Sequence, residues 1–314
     1  MKSLKNTIPF FVLVACIAWS CETIIDVDLP EHEPLLVVNS YFGTDTTFTF
    51  DVSLSKDILD DDMYNDSRSI SGVDIEIFED GTSIGKATQT EEYESYKLYY
   101  YPKPESQYSI RASRSGQPVI QSQDVIPRNS SKPEVEKVLF TSNEWGDQVT
   151  RFTYSFEDPA GTNYYEVLLY IDQPMYEYYE DEDTSYHYIN GTFKEQLYYN
   201  NEGADLNEFE DTGDITLFSD ELFDGKQHSQ TIEFYYYPYN YDGQSDLEES
   251  QLHLEVRSVS EAYYKYRVSR TLQQDAEDNP FAEAAQVYNN IEGGFGIFAG
   301  YNSQTLTFTI DPDE

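Results

Sequence analysis

Apolar residues recur with a period of two over most of the chain, as strands with one buried face require. In Thr47–Ser55, Phe48, Phe50, Val52 and Leu54 alternate with polar neighbours. In Gly72–Phe78, Val73, Ile75 and Ile77 share a face, and Asp80-Gly81 just beyond reads as a hairpin turn. Further strands are expected at 35–42, 94–101, 107–113 and 118–126, with Lys86–Thr90 as a polar strand. About seven short strands at this spacing predict an immunoglobulin-like β-sandwich. The polar stretch Ile126–Pro133 is expected to mark a domain boundary.

Beyond it the same rhythm resumes at 134–141, 149–156, 163–171, 193–199, 228–237 and 250–259, and Gln304–Ile310 reads as a closing strand. Met175–Asp220 is acidic and tyrosine-rich with a poor core pattern, so it reads as a surface excursion containing short strands. One segment changes period. Ser258 with Glu261 suggests a capping box, and Tyr264, Val268 and Leu272 form a stripe at helical spacing. The fold class expected is mainly β: a sandwich over 34–128, then a second β-rich domain over 134–314 with one helix.

The amino end has a different pattern. Lys2 and Lys5 precede Ile8–Trp19, an uncharged apolar run. A bilayer-spanning helix needs about 20 such residues, so this run suits a signal peptide over 1–20. The two cysteines are Cys16 and Cys21. Cleavage before Cys21 leaves one thiol, and a lipid attached there explains why an exported chain keeps a single cysteine. Ala18 and Ser20 supply the small residues such cleavage needs, while Trp19 between them fits poorly. Leu13-Val14-Ala15 before Cys16 is the better lipobox, but it leaves a short apolar run. Residues 21–33 then read as an acidic tether, stiffened by Pro30 and by Pro34 just beyond it.

Charge narrows the functions. The formal net charge is −40, and loss of Lys2 and Lys5 makes it more negative. Nucleic acid and anionic lipid surfaces would be repelled, and cationic partners favoured. Two acidic clusters could hold a structural calcium ion: Asp60-Asp61-Asp62 with Asn65 and Asp66, and Glu180–Asp183. Neither has the spacing of a calcium-binding loop, and a chain this acidic is expected to carry such runs in solvated loops. No other cofactor is expected.

Catalytic motifs are weak. Gly81-Thr82-Ser83-Ile84-Gly85 matches the nucleophile elbow, but that motif needs a helix after its turn, and a strand is expected here. Gly294-Phe295-Gly296-Ile297-Phe298-Ala299 has dinucleotide-site glycines without room for a βαβ unit, so close backbone approach is the expected reason for them. His32, His187, His228 and His253 show no local pairing that marks a base. Exposed tyrosines from Tyr99-Tyr100-Tyr101 or Tyr235-Tyr236-Tyr237 could contact sugars or peptides.

Cys21–Pro30 followed by Leu35-Leu36-Val37-Val38-Asn39 resembles the start of the DUF4249 lipoprotein family. Asn279-Pro280-Phe281, Val287-Tyr288-Asn289-Asn290-Ile291 and Gly293-Gly294-Phe295-Gly296-Ile297-Phe298 resemble its closing motif. The resemblance favours Cys21 as the lipid attachment position. It implies a Bacteroidota outer-membrane lipoprotein, often encoded beside a TonB-dependent receptor, with no catalytic residue to carry over. Region 34–128 is also similar to transthyretin-like sandwiches. The function expected is a non-enzymatic, lipid-anchored outer-membrane accessory protein that partners a TonB-dependent receptor, on either face of the membrane. A surface glycan- or peptide-binding lipoprotein is the alternative.

Overall fold

The structure, a computed structural model, describes residues 33–56, 70–90, 95–142, 146, 148–181, 184–202, 216–235, 250–277 and 285–310. In the first region the alternating segments become β1 (Leu36–Gly43), β2 (Phe48–Leu54), β3 (Asp74–Glu79), β4 (Thr82–Lys86), β5 (Thr88–Gln89), β6 (Tyr96–Leu98), β7 (Gln107–Ser113) and β8 (Ile120–Val125). The β3–β4 hairpin turns at Asp80-Gly81, with φ of 47° and 79°. Two positive φ angles give the turn a twist that matches its strands.

The second region supplies β9 (Glu134–Ser142), β10 (Gln148–Glu157), β11 (Tyr164–Asp181), β12 (Thr184–Leu197), β13 (Tyr199–Glu202), β14 (Thr216–Ser219), β15 (Gln227–Phe234) and β16 (Ser250–Val259). A helix, α1 (Glu261–Glu277), and the strand β17 (Phe295–Ile310) follow. The order β12-β11-β16-β17-β1-β2-β6-β5 makes one long sheet, with β14 also on β11. Two four-stranded sheets, β4-β3-β7-β8 and β13-β15-β10-β9, complete the β structure among the described residues.

Each smaller sheet shares a core with part of the long one. Phe42, Phe48, Phe50, Ile75, Ile77 and Tyr108 are buried together in the first core, where Phe42 stacks on Phe298 at 4.3 Å. Phe152, Tyr154, Phe156, Tyr165, Leu254 and Val256 are buried in the second. Each such side chain stabilises by roughly 1.5–3 kcal/mol relative to exposure. The fold is therefore mainly β with sandwich-like packing.

The closing strand is much longer than its alternating Gln304–Ile310 portion. Phe295–Tyr301 runs parallel to β1, and Tyr301–Ile310 runs antiparallel to β16. One strand thus serves both cores, and residues 34–314 form one compact unit across the boundary expected at Ile126–Pro133. Glycines make this possible. A Cβ at Gly296 would sit 2.1 Å from the Val38 carbonyl oxygen, and one at Gly300 2.4 Å from that of Val125. No side chain fits at Gly296 or Gly300, and the glycines serve close backbone approach along β17.

Two further details differ from the pattern. The Met175–Leu197 part of the expected excursion belongs to a long hairpin, because β11 continues to Asp181 and β12 returns along it to Leu197. The helix cap is Ser260. Its Oγ accepts the Tyr263 N–H at 3.2 Å, whereas Ser258 lies in β16 and accepts the Ser130 N–H. On the helix, Ala262 and Tyr263 are buried, and Leu272 of the expected stripe is 46% exposed.

Candidate functional site

Three side-chain constellations bring together residues far apart in sequence. The first stands at the end of β10, where the turn after Glu157 begins. Carboxylate oxygens of Asp158, Asp220 and Asp224 lie within 4.8 Å of one another. Asp158 Oδ2 accepts from Gly225 N at 2.7 Å, Asp224 Oδ1 from Gly161 N at 2.8 Å, and Asp220 Oδ2 from Asn163 N at 2.9 Å. Burial, aided by the Asp158 and Asp224 charges, raises the Asp220 pKa against the hydrogen bonds from Asn163. Three hard oxygen donors are what a cation such as calcium takes. The amide bonds show the second role of the same groups, which is to brace the turns 158–163 and 220–225.

A second constellation lies under the helix. Glu166 of β11 is fully buried, and its Oε2 accepts the Tyr263 hydroxyl at 2.7 Å and Arg257 Nη1 at 3.1 Å. Arg267 Nη1 approaches Oε1 at 3.3 Å. Arg257 also donates to Glu255 at 2.6 Å and stacks 4.7 Å over the Tyr301 ring. One buried carboxylate thus fastens α1 to the long sheet through Tyr263 and Arg267, while Arg257 of β16 braces it from the sheet side. Burial and the Glu166 charge push the Tyr263 hydroxyl pKa up, so it stays a hydrogen-bond donor.

The third is a cross-strand row. His253 Nδ1 lies 2.9 Å from Thr307 Oγ1, and its Nε2 lies 3.0 Å from Asp172 Oδ1. The order hydroxyl, imidazole, carboxylate has the connectivity of a catalytic triad. Its setting is different. All three residues project from mid-strand, where the backbone N–H groups belong to the β11–β16–β17 ladder and cannot form an oxyanion hole. The row ties three strands together.

The sequence-derived candidates fall as follows. Cys16, Cys21 and His32 lie outside the described residues, as do Asp60–Asp62, Asn65, Asp66, Glu182 and Asp183. Ser83 sits in β4 and donates to Glu76 at 2.7 Å, so no nucleophile elbow forms. His228 is buried against Phe218 and Phe223, and burial lowers its pKa to about 4. In the first tyrosine triplet the central ring is held: Tyr100 Oη donates to Glu79, which also accepts from Tyr108 and Lys103. Tyr99 and Tyr101 flank it at 80% and 64% exposure. The three networks above were invisible in the sequence because their members are up to 135 positions apart and carry no fixed spacing.

No helix among the described residues is long and apolar enough to cross a membrane. The model of the family described as a domain of unknown function, DUF4249, matches residues 22–307. No curated protein matches the sequence. Among solved structures the chain is similar to a Corynebacterium diphtheriae protein described as membrane anchored, at 8% identity and a TM-score of 0.20. That match covers 74% of this chain and 55% of the other, so the chain spans about half its relative's length. A mutant Salmonella alpha-2-macroglobulin matches at 11% identity and a TM-score of 0.22, over 92% of this chain and 16% of the other. Similarities at these scores carry no argument about fold or function.

Proposed function

The chain belongs to the DUF4249 family, and from that premise we propose that it is a non-enzymatic, lipid-anchored accessory protein of a bacterial outer membrane. It works beside a TonB-dependent receptor in uptake or envelope assembly. One observation carries the reading: the family match begins at residue 22, immediately after Cys21. A cleavable leader, an acylated cysteine and a folded body would divide the chain at that point. The strong acidity supports it too, because a body held near anionic lipid by acyl chains is repelled from the surface and stays upright and available to a partner.

Palmitate labelling tests the anchor. Label should be present in the wild type and in Cys16→Ala, and absent from Cys21→Ala. Label that survives Cys21→Ala overturns the assignment. Detergent extraction followed by affinity purification tests the partner. A TonB-dependent barrel recovered in near-equal amount is expected, and recovery of the lipoprotein alone counts against it.

A second reading, direct capture of a glycan or peptide, is favoured by the exposed pair Tyr99 and Tyr101. These rings present flat apolar faces next to a rigid strand.

A further inference from the structure

The smaller sheet of the first core has an outward face that is concave and polar. The residue pairing builds it in rows. Glu76, Arg111 and Gln121 stand side by side on β3, β7 and β8. The next row is Phe78, Ser109 and Gln123. Alternation along each strand turns all six away from the buried core, where Ile77, Tyr108 and Ile110 point. Ser109, the small member between Phe78 and Gln123, leaves depth between its neighbours.

A wall closes the open side. The segment around Glu292 bridges β8: Gln121 N donates to the Glu292 carbonyl at 3.1 Å, and Glu292 N donates back to Gln121 at 2.8 Å. The first row is thereby extended to a fourth residue. The wall is rigid. Asn290 accepts from Phe298 N at 3.0 Å and donates to Phe298 O at 2.8 Å. Asn289 holds Ile291 N and the Gly294 carbonyl in the same way. Ser122 Oγ donates to the Asn290 carbonyl at 2.8 Å. The closing Asn-Asn motif of the sequence therefore fixes the wall that carries Glu292.

The groove so formed has a volume of about 500 Å³. Arg111, Gln121, Gln123 and Glu292 all line it, and their side chains make no hydrogen bond or ion pair among the described residues. Arg111 has carboxylates on either side in its row, Glu76 and Glu292, yet bonds to neither. The unspent groups are a guanidinium fork, two amides and a carboxylate. All are planar, and all can take two neighbouring hydroxyls at once. Phe78 offers an apolar surface beside them.

Charge decides the ligand class. Arg111 opposed by Glu292 makes the lining near neutral, and Glu76 beside Arg111 in the same row brings the site to one net negative charge at most, in a chain that is acidic overall. A polyanion would be repelled, and a cation would meet the guanidinium. What matches many planar donors and acceptors with little net charge is a neutral, hydroxyl-rich molecule. We propose that this groove binds a neutral carbohydrate, with Arg111, Gln121, Gln123 and Glu292 bonding its hydroxyls and Phe78 packing on its C–H face. The inference deepens the ligand-capture reading, on which it rests, and locates capture in a groove that the exposed tyrosine pair does not line.

The test uses the purified full chain in detergent on an array of neutral hexose and N-acetylhexosamine oligosaccharides, with sulfated ones as controls. The wild type should bind at least one neutral class and prefer it to its sulfated form. Arg111→Ala and Gln121→Ala should each weaken that binding about tenfold, the loss of one or two hydrogen bonds. A Tyr99→Ala, Tyr101→Ala double variant should bind as the wild type does. These positions are exposed, so the melting temperatures should be unchanged, and Gln123→Ala stands in for any variant that melts early. Binding that survives all groove variants but vanishes with the tyrosines overturns the groove and leaves ligand capture standing. Binding to sulfated sugars alone overturns the neutral-sugar groove and leaves ligand capture standing, and binding to no sugar at all overturns the groove and the glycan half of that reading.

Discussion

Asp124, at the end of β8, accepts a hydrogen bond from the hydroxyl of Ser260, 136 residues later in the chain. The same Oδ2 accepts from Gly300 N at 2.8 Å, and Ser260 in turn caps the helix by accepting from Tyr263 N. One carboxylate of the first core thus orients the helix cap and holds the shared strand. Ser260→Ala removes the cap, worth about 1 kcal/mol, and leaves a buried carboxylate oxygen short of a donor, at about 1–3 kcal/mol more. Urea unfolding should show a loss of roughly 2–4 kcal/mol by the sum of those two effects. Ser260→Thr, which keeps the hydroxyl, should recover most of it. Equal losses in the two variants would show that the bond to Asp124 contributes nothing.

Among the described glycines, Gly296→Ala should be the most damaging substitution. The added Cβ meets the Val38 carbonyl at 2.1 Å, and the residue has φ of +116°. The β1–β17 pair must separate locally, which opens the first core, where Val38 and Phe298 are buried. Loss of soluble, cooperatively folding protein is expected, by circular dichroism and size exclusion. Gly161→Ala, where no atom lies within 4 Å, should cost only the backbone strain of its φ of +119° and so should destabilise less than Gly296→Ala.

Glu166→Gln leaves Arg257 and Arg267 facing a neutral amide in a buried site. Breaking such a network typically costs about 3–5 kcal/mol. The loss should appear in chemical denaturation. A double variant with Arg267→Met should lose less than the two single variants added together, because each charge is costly mainly when the other is missing. Simple additivity would mean that the pair is not coupled.

Acid should reveal two opposed groups. The His228 pKa falls to about 4 through burial, so its native form resists a proton that the unfolded chain takes near 6.5. Stability from this group is whole above pH 6.5 and is lost as pH falls towards 4, about 3 kcal/mol in all. Asp124 is raised to about 6 by burial, against the hydrogen bond from Ser260. Its native form takes a proton first, so acidification from pH 6 to 4 adds stability. His228→Phe should therefore become steadily more stable than the wild type between pH 6.5 and 4. Asp124→Asn should become less so over the lower part of that range. Curves parallel to the wild type in either variant would remove that group from the account.

Much of the β structure was legible from alternation alone. Gln107–Ser113 and Ser250–Val259 form strands over the expected bounds, and Asp80-Gly81 makes the expected turn. The helix was legible as a period, but its cap was not. Ser258 and Ser260 are both good capping residues, and the choice between them depends on Asp124, which no local window contains. The candidate groove was hidden for a similar reason. Arg111, Gln121 and Glu292 are ordinary solvent-facing residues until pairing sets them in one row.

The sequence by itself determined the periodicity, and with it the class of fold, because burying one face of a strand demands alternation whatever the neighbours are. It also determined the overall acidity. Only the tertiary structure decided which strands meet. Pairing of β1 with β17 joins segments more than 250 residues apart through backbone hydrogen bonds, to which every residue type but proline contributes alike. Glycine recorded that such an approach was needed near 296 and 300, but the partner strand is chosen by long-range packing.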